Sequence, residues 1–317
     1  MAARCFLPAA RRPAYKVIAV PKGAGAAEIG ARLRAKGIIR SPRAFVLVAR
    51  LMGEAGKLKA GDYRLSPHMS LPAIVKAIAE GESVSAWVTF PEGYTSRQMA
   101  EVLSQHRVVQ EAEFLRLVGG DGRGFRVNGW RFPKRLEGYL FPDTYKFPKG
   151  ASADQVVETM LRNFVRKVVA PLAPDFRRAE AGGMSAADVI TLASLVEREA
   201  KRPEERPIIA GVLINRLRAG MPLQCDATVQ YALGEHRQRL LYRDLEVDSP
   251  YNTYKHPGLP PGPICNPGVA SIEAALRPAE THFLYYVAKP DGSHVFSETY
   301  DQHLRAKRRI AALRGAQ

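Results

Sequence analysis

The stretch SAADVITLASLVERE, from Ser185 to Glu199, decides how this chain is read. Ser185 with Asp188 three residues on is a capping-box start, and an acid in the first turn suits the positive end of the helix dipole. Pro203 ends the helix soon after Ala200. At about 100° per residue, Val189, Leu192, Leu195 and Val196 share one apolar stripe. Glu199 falls inside that stripe, Glu197 lies at its flank and Arg198 opposite. A carboxylate on an apolar face is costly unless it is paired or used. Desolvation there raises the pKa of a carboxyl group, which a general acid near neutral pH requires. The plain alternative is a frayed last turn with Glu199 reaching solvent, and both readings stand at this point.

C-terminal to this helix, another is expected over Glu204 to Ala219, with acids in its first turn, Arg216 and Arg218 in its last, and Gly220 as terminator. Its Ile208, Ile209, Val212, Leu213 and Leu217 would pack against the Glu199 helix. A polar loop region dense in hydrogen-bonding groups follows: Gln224, Asp226, Thr228, Tyr231, Tyr251-Asn252-Thr253-Tyr254, and the proline-rich run Gly258 to Gly268 with Asn266. Rigid turns that fix Asn and Tyr side chains suit a carbohydrate cleft; a long structural loop is the alternative. A hairpin, Phe283 to Ala288 and His294 to Ser297 around Pro290-Asp291-Gly292, and then a basic helix close the chain.

N-terminal to it, a strand Lys16 to Val20, helices over Ala27 to Lys36 and Pro42 to Met52, a turn entering a strand at Lys59 to Leu65, and a helix Leu71 to Glu80 stopped by Gly81 make a small α+β binding module. A strand Ser85 to Phe90, helices Ser96 to Gln105 and Ala112 to Val118, an exposed loop Gly119 to Asn128, an ordered aromatic stretch Leu136 to Tyr145 and a helix Ala153 to Val169 follow. The expected class is α+β: a tail over 1–14 that reads as the remnant of a longer N-terminal segment or membrane anchor, a module over 15–83, and a larger mixed α/β domain over 84–317.

Composition narrows the classes of function. Hydrophobic residues at 46% and charged residues at 25% of 317 positions rule out general disorder. No apolar run approaches the roughly 18 to 20 residues that span a bilayer. Lys and Arg outnumber Asp and Glu by 47 to 31, a net charge of +16, so an anionic setting is implied: an acidic polymer, a membrane surface or nucleic acid. No helix-turn-helix, zinc-finger or RNP-type pattern supports nucleic acid. The basic residues are scattered, with the densest cluster at Arg305, Lys307, Arg308 and Arg309. Cys5, Cys225 and Cys265 form no CxxC and the seven histidines no HExxH, so neither metal nor cofactor is expected.

Ala193-Ser194-Leu195-Val196-Glu197-Arg198-Glu199, Ile214-Asn215-Arg216-Leu217 and Leu223-Gln224-Cys225-Asp226-Ala227-Thr228-Val229 resemble the MltG (YceG-like) endolytic murein transglycosylases. So do Tyr251-Asn252-Thr253-Tyr254, Gly258-Leu259-Pro260-Pro261-Gly262-Pro263-Ile264, Asn266-Pro267-Gly268 and Ser271-Ile272-Glu273-Ala274-Ala275, with Pro91-Glu92-Gly93-Tyr94-Thr95 and Leu136 to Tyr145 upstream. The likeness covers nearly the whole chain in collinear order. It implies a LysM-like N-terminal module and a catalytic domain that cleaves peptidoglycan glycan strands, at the extracytoplasmic face of the bacterial inner membrane. Its implied partners are those strands and peptidoglycan synthases, and the net charge of +16 adds an anionic membrane surface.

The resemblance puts the catalytic carboxylate at the second Glu of the Glu-x-Glu pair, Glu199, with Glu197 as the alternative; the stripe argument reaches Glu199 independently. Asn252, Tyr254 and Asn266 match positions expected to line the glycan groove, with Gln224 and Thr228 beside them. Lytic transglycosylases use one carboxyl group, first as acid and then as base on the muramyl C6 hydroxyl, and leave 1,6-anhydro ends. The competing expectations are a hydrolytic muramidase with Asp226 as second carboxylate and a non-catalytic glycan-binding scaffold. Cys225 and Cys265 are expected as free thiols.

Overall fold

In the computed structural model, which describes residues 15–81, 84–121, 124–234, 237 and 240–315, helices far outweigh strands and each described strand pairs with one antiparallel partner. The α+β class therefore holds. Cys5 and the 1–14 tail lie outside the described residues. Among the described residues no helix is long and apolar enough to cross a membrane.

The elements are β1 (Lys16–Val20), α1 (Ala26–Ala35), α2 (Pro42–Leu51), β2 (Gly61–Leu65), α3 (Leu71–Glu80), β3 (Ser85–Thr89), α4 (Ser96–Gln105) and α5 (Glu111–Arg116). Then come β4 (Arg126–Val127), β5 (Trp130–Arg131), β6 (Thr144–Pro148), α6 (Ala153–Phe164), α7 (Ala173–Ala181), α8 (Ala186–Glu199) and α9 (Arg206–Arg218). The chain ends with α10 (Asp226–Leu233), α11 (Val269–Leu276), β7 (Tyr285–Ala288), β8 (His294–Ser297) and α12 (Tyr300–Gly315). Two compact units result. One holds everything described up to Thr89 together with Ala100–Leu117 and Thr144–Val157; the other holds the remainder. The first compact unit thus takes in segments beyond residue 83.

In the first unit β1 pairs with β2, Lys16 opposite Leu65 and Val20 opposite Gly61, and β3 pairs with β6. Ser41 and Ser70 cap α2 and α3, their hydroxyls accepting from the Ala44 and Ala73 N–H groups. Ile18, Ile29, Leu33, Phe45, Tyr63, Leu65, Ile74 and Ile78 form its apolar core.

The second unit is organised around α8. The capping box is present: the Ser185 hydroxyl accepts from Asp188 N–H at 3.2 Å, and Ser185 N–H donates to Asp188 Oδ2 at 3.0 Å. The expected single stripe is replaced by a helix buried on every side from Val189 to Val196, because α7, α9, α10 and α11 all pack on it. Ser194, inside this helix, accepts from Ile264 N–H at 3.0 Å and so pins the proline-rich turn to it. Gly138 takes φ +90, and a Cβ there would collide with Pro263 and crowd Ile190, so only glycine serves.

Three other expectations are corrected. The supposed loop after Val118 contains a π turn over Leu117–Asp121 and the β4–β5 hairpin, which turns on Asn128 and Gly129 at φ +47 and +84. That Asn-Gly pair is the signal for such a turn. The helix begun at Ala153 is α-helical to Phe164 and then widens to a π turn through Val169. Finally, the polar stretch after Leu223 contains α10, with Asp226 in its first turn and Gly234 at φ +74 ending it. Its polar residues hid a short helix whose buried side is Thr228 and Val229.

Candidate active site

Glu199 is the last residue of α8, and its partly buried side chain reaches the start of α10. Desolvation, then the adjacent charge of Asp226, push its carboxyl up to about 7. The Tyr286 hydroxyl, the Ala227 N–H and Arg198 act the other way without cancelling this. Ala227 lies in the first turn of α10, where backbone N–H groups have no partner within the helix. Asp226 is exposed and accepts from the Tyr254 hydroxyl at 2.6 Å; burial and that bond push the Tyr254 phenol up. Cys225 is a free, buried thiol that burial and the Glu199 charge hold in its neutral form. A helix end, a helix start, a strand residue and a loop tyrosine thus meet at one carboxyl group.

Glu197 faces elsewhere, because two residues on a helix turn about 200°. Its carboxylate accepts from Gly268 N–H at 3.0 Å and lies 3.9 Å from Arg206 Nη2. Glu92 sits against Gly268 so closely that no Cβ fits there, and burial and the Glu197 charge raise its pKa, an effect that Arg206 reduces without cancelling. Glu197 is a held ion-pair member, unlike Glu199.

A further carboxyl group, like Glu92, was not singled out as a site residue in the sequence. Glu137 accepts from Ser96 N–H at 2.9 Å, the Ser96 hydroxyl at 3.0 Å, Asn266 Nδ2 at 2.9 Å and the Tyr231 hydroxyl at 3.5 Å. Burial nevertheless pushes it up to about 7. It sits in a turn, where periodicity gives no warning; the only sequence signal was its place in the Leu136 to Tyr145 stretch.

The other singled-out residues separate into two groups. Asn252, Thr228 and Asn266 are fully buried, with polar atoms engaged inside the protein. Asn252 donates to Leu245 O and Val247 O and accepts from Tyr254 N–H, so it shapes the loop that aims Tyr254. Thr228 donates to Cys225 O at 2.7 Å and meets the Thr253 hydroxyl at 2.9 Å. Asn266 accepts from Gly138 and Leu140 N–H and donates to Tyr94 O and Glu137, which places it in the Glu137 cluster rather than at Glu199. Gln224 is exposed and Tyr254 partly so, and these two have surface to offer a ligand. Tyr286, absent from the sequence expectations, joins Glu199 because β7 presents it there; nothing in a four-residue strand foretold that.

The chain matches the YceG-like family over residues 18–309. An endolytic murein transglycosylase of Bacillus subtilis (strain 168) is 36% identical over 304 residues, which is 92% of this chain and 83% of that protein. One from Streptococcus pneumoniae (strain D39) is 30% identical over 92% of this chain, which spans 57% of that longer protein. A crystal structure of a YceG-like protein from Listeria monocytogenes aligns with a TM-score of 0.60 at 34% identity, covering 93% of this chain and 100% of that one. With a family match across almost its whole length and relatives of this identity, the chain belongs to the YceG-like family.

Proposed function

We propose that this chain is an endolytic murein transglycosylase acting outside the cytoplasm on peptidoglycan glycan strands, with Glu199 as its acid and base. The observation that carries the reading is the carboxyl of Glu199, raised to about 7 beside Asp226 at the end of a helix buried from Val189 to Val196. Such a group is protonated often enough near neutral pH to donate, and basic enough once ionised to accept. Glu199 gives its proton to the oxygen of the bond between N-acetylmuramic acid and N-acetylglucosamine. The resulting carboxylate takes the proton of the muramyl C6 hydroxyl, whose oxygen closes on C1. Asp226 supplies negative charge toward the oxocarbenium-like centre, and the Tyr286 hydroxyl steadies the carboxylate between its two roles.

The C6 hydroxyl is tethered to the carbon it attacks, so it holds a large effective-molarity advantage over water. Purified murein digested by the protein is therefore expected to yield muramyl ends one water lighter than reducing ends by mass spectrometry. Fully reducing ends would instead favour hydrolysis with Asp226 as base, a reading supported by the closeness of its charge to Glu199. No cleavage at all by folded protein would leave a glycan-binding scaffold.

The first unit supports a LysM-like reading through its β1–α1–α2–β2 order with antiparallel β1 and β2. Its role would be to raise the local concentration of strand at the catalytic unit. In the Glu199→Gln protein, N-acetylglucosamine oligomers are expected to shift backbone amide NMR signals within residues 16–65. Shifts confined to the second unit would count against this role.

A further inference from the structure

Arg216 was expected as an ordinary cation in the last turn of α9, where it would suit the helix dipole. It is instead buried, with 9% of its surface exposed, and no carboxylate stands within ion-pair distance of it among the described residues. Its guanidinium is satisfied by backbone oxygens of two separate segments. Nε donates to Leu284 O at 2.6 Å, while Nη1 donates to Leu223 O at 2.9 Å and Pro222 O at 3.1 Å. Nη1 also reaches Gln224 Oε1 at 3.4 Å, and the Tyr285 ring lies 5.1 Å from the guanidinium carbon. A buried cation without a counter-charge is expensive, and carbonyl dipoles arranged around it are what makes it tolerable.

The two segments it joins carry the surroundings of Glu199. Leu284 immediately precedes β7, which presents Tyr286. Residues 222–224 lead directly to Asp226 and Ala227 at the start of α10. Gln224 adopts φ +54, a conformation unfavourable for a residue with a Cβ, so this segment is held rather than relaxed. The Gln224 and Cys225 N–H groups donate to Thr253 O and the Thr253 hydroxyl, closing the other side of the segment.

We infer that Arg216 is a positioning residue for the proposed catalytic carboxyl: its guanidinium clamps the 222–224 segment to the start of β7 and so fixes Asp226, Ala227 and Tyr286 around Glu199. The inference rests on the reading of Glu199 as acid and base. A lysine cannot replace the clamp, because one ammonium on a flexible stem does not hold two carbonyl sets in a fixed planar fork.

The test compares kcat, KM and the pH dependence of kcat on murein glycan strands for the wild type, Arg216→Lys and Glu199→Gln, with circular dichroism and thermal melting on each. Arg216→Lys is expected to fold, to keep KM within twofold, and to lose at least tenfold in kcat. The groups facing Glu199 are Asp226, Tyr254, Cys225 and Tyr286, with Arg198 on its own helix. Loosening the clamp admits water and moves Asp226 away, and these remove the two causes that raise the Glu199 carboxyl. The high-pH limb of kcat therefore moves to lower pH by at least half a unit. Wild-type kcat with an unmoved limb overturns the inference, as does failure of Arg216→Lys to fold, which would make Arg216 part of the general core. Retained activity in Glu199→Gln would overturn the underlying reading instead.

Discussion

Glu199→Gln is expected to abolish glycan cleavage with little change in fold. Glutamine keeps the size and can still accept hydrogen bonds from the Ala227 N–H and the Tyr286 hydroxyl, yet it has no proton to give. Acid–base assistance alone is worth roughly 10² to 10⁴ in rate, and here one group serves both steps. Glu197→Gln should retain far more activity, because Glu197 is held by Gly268 N–H and Arg206 on another side of α8. The same assignment fixes the sign of the pH dependence. Glu199 must begin protonated, so kcat falls as pH rises through about 7, the value its surroundings impose. Asp226→Asn removes the neighbouring negative charge and is expected to move that limb to lower pH. Steady-state rates on isolated glycan strands check both effects; a Glu197→Gln protein less active than Glu199→Gln would transfer the role to Glu197.

Asn266→Ala is expected to be the most damaging single change to stability. The side chain is fully buried and joins four partners: it accepts from Gly138 and Leu140 N–H, both at 2.9 Å, and donates to Tyr94 O at 3.0 Å and Glu137 at 2.9 Å. Alanine leaves two backbone donors and one acceptor without this partner and takes a donor from a buried carboxyl group. Each such loss costs about 1 to 3 kcal/mol, and the losses fall together on one buried side chain. Urea unfolding followed by circular dichroism measures it. A loss below about 1 kcal/mol would mean that water replaces the amide and that the Glu137 cluster is open to solvent.

What could be read in advance depended on whether the deciding physics was local. The cap at Ser185, the αL terminator Gly81 and the hairpin at Pro290-Asp291-Gly292 are set by a few neighbouring residues. Most of those elements followed from the sequence within a residue or two. The short polar helix α10 did not, because only its buried Thr228 and Val229 separate it from a loop, and burial is a tertiary fact.

The candidate site divides in the same way. Glu199 stood out because an acid in a run of apolar helix residues is costly wherever the helix packs, and that much is written in the order of residues. Its neighbours are not. Tyr286 lies 87 positions away in a short strand and Asp226 at a helix start 27 positions on, and only packing around α8 brings them to one carboxyl group. The family resemblance likewise presented Asn252 and Asn266 as groove-lining candidates with Thr228 beside them, whereas the fold turns their polar atoms inward. Whether an amide faces a ligand or braces a turn depends on which donors and acceptors remain unpaired after folding, and pairing between distant segments exists only in the tertiary structure.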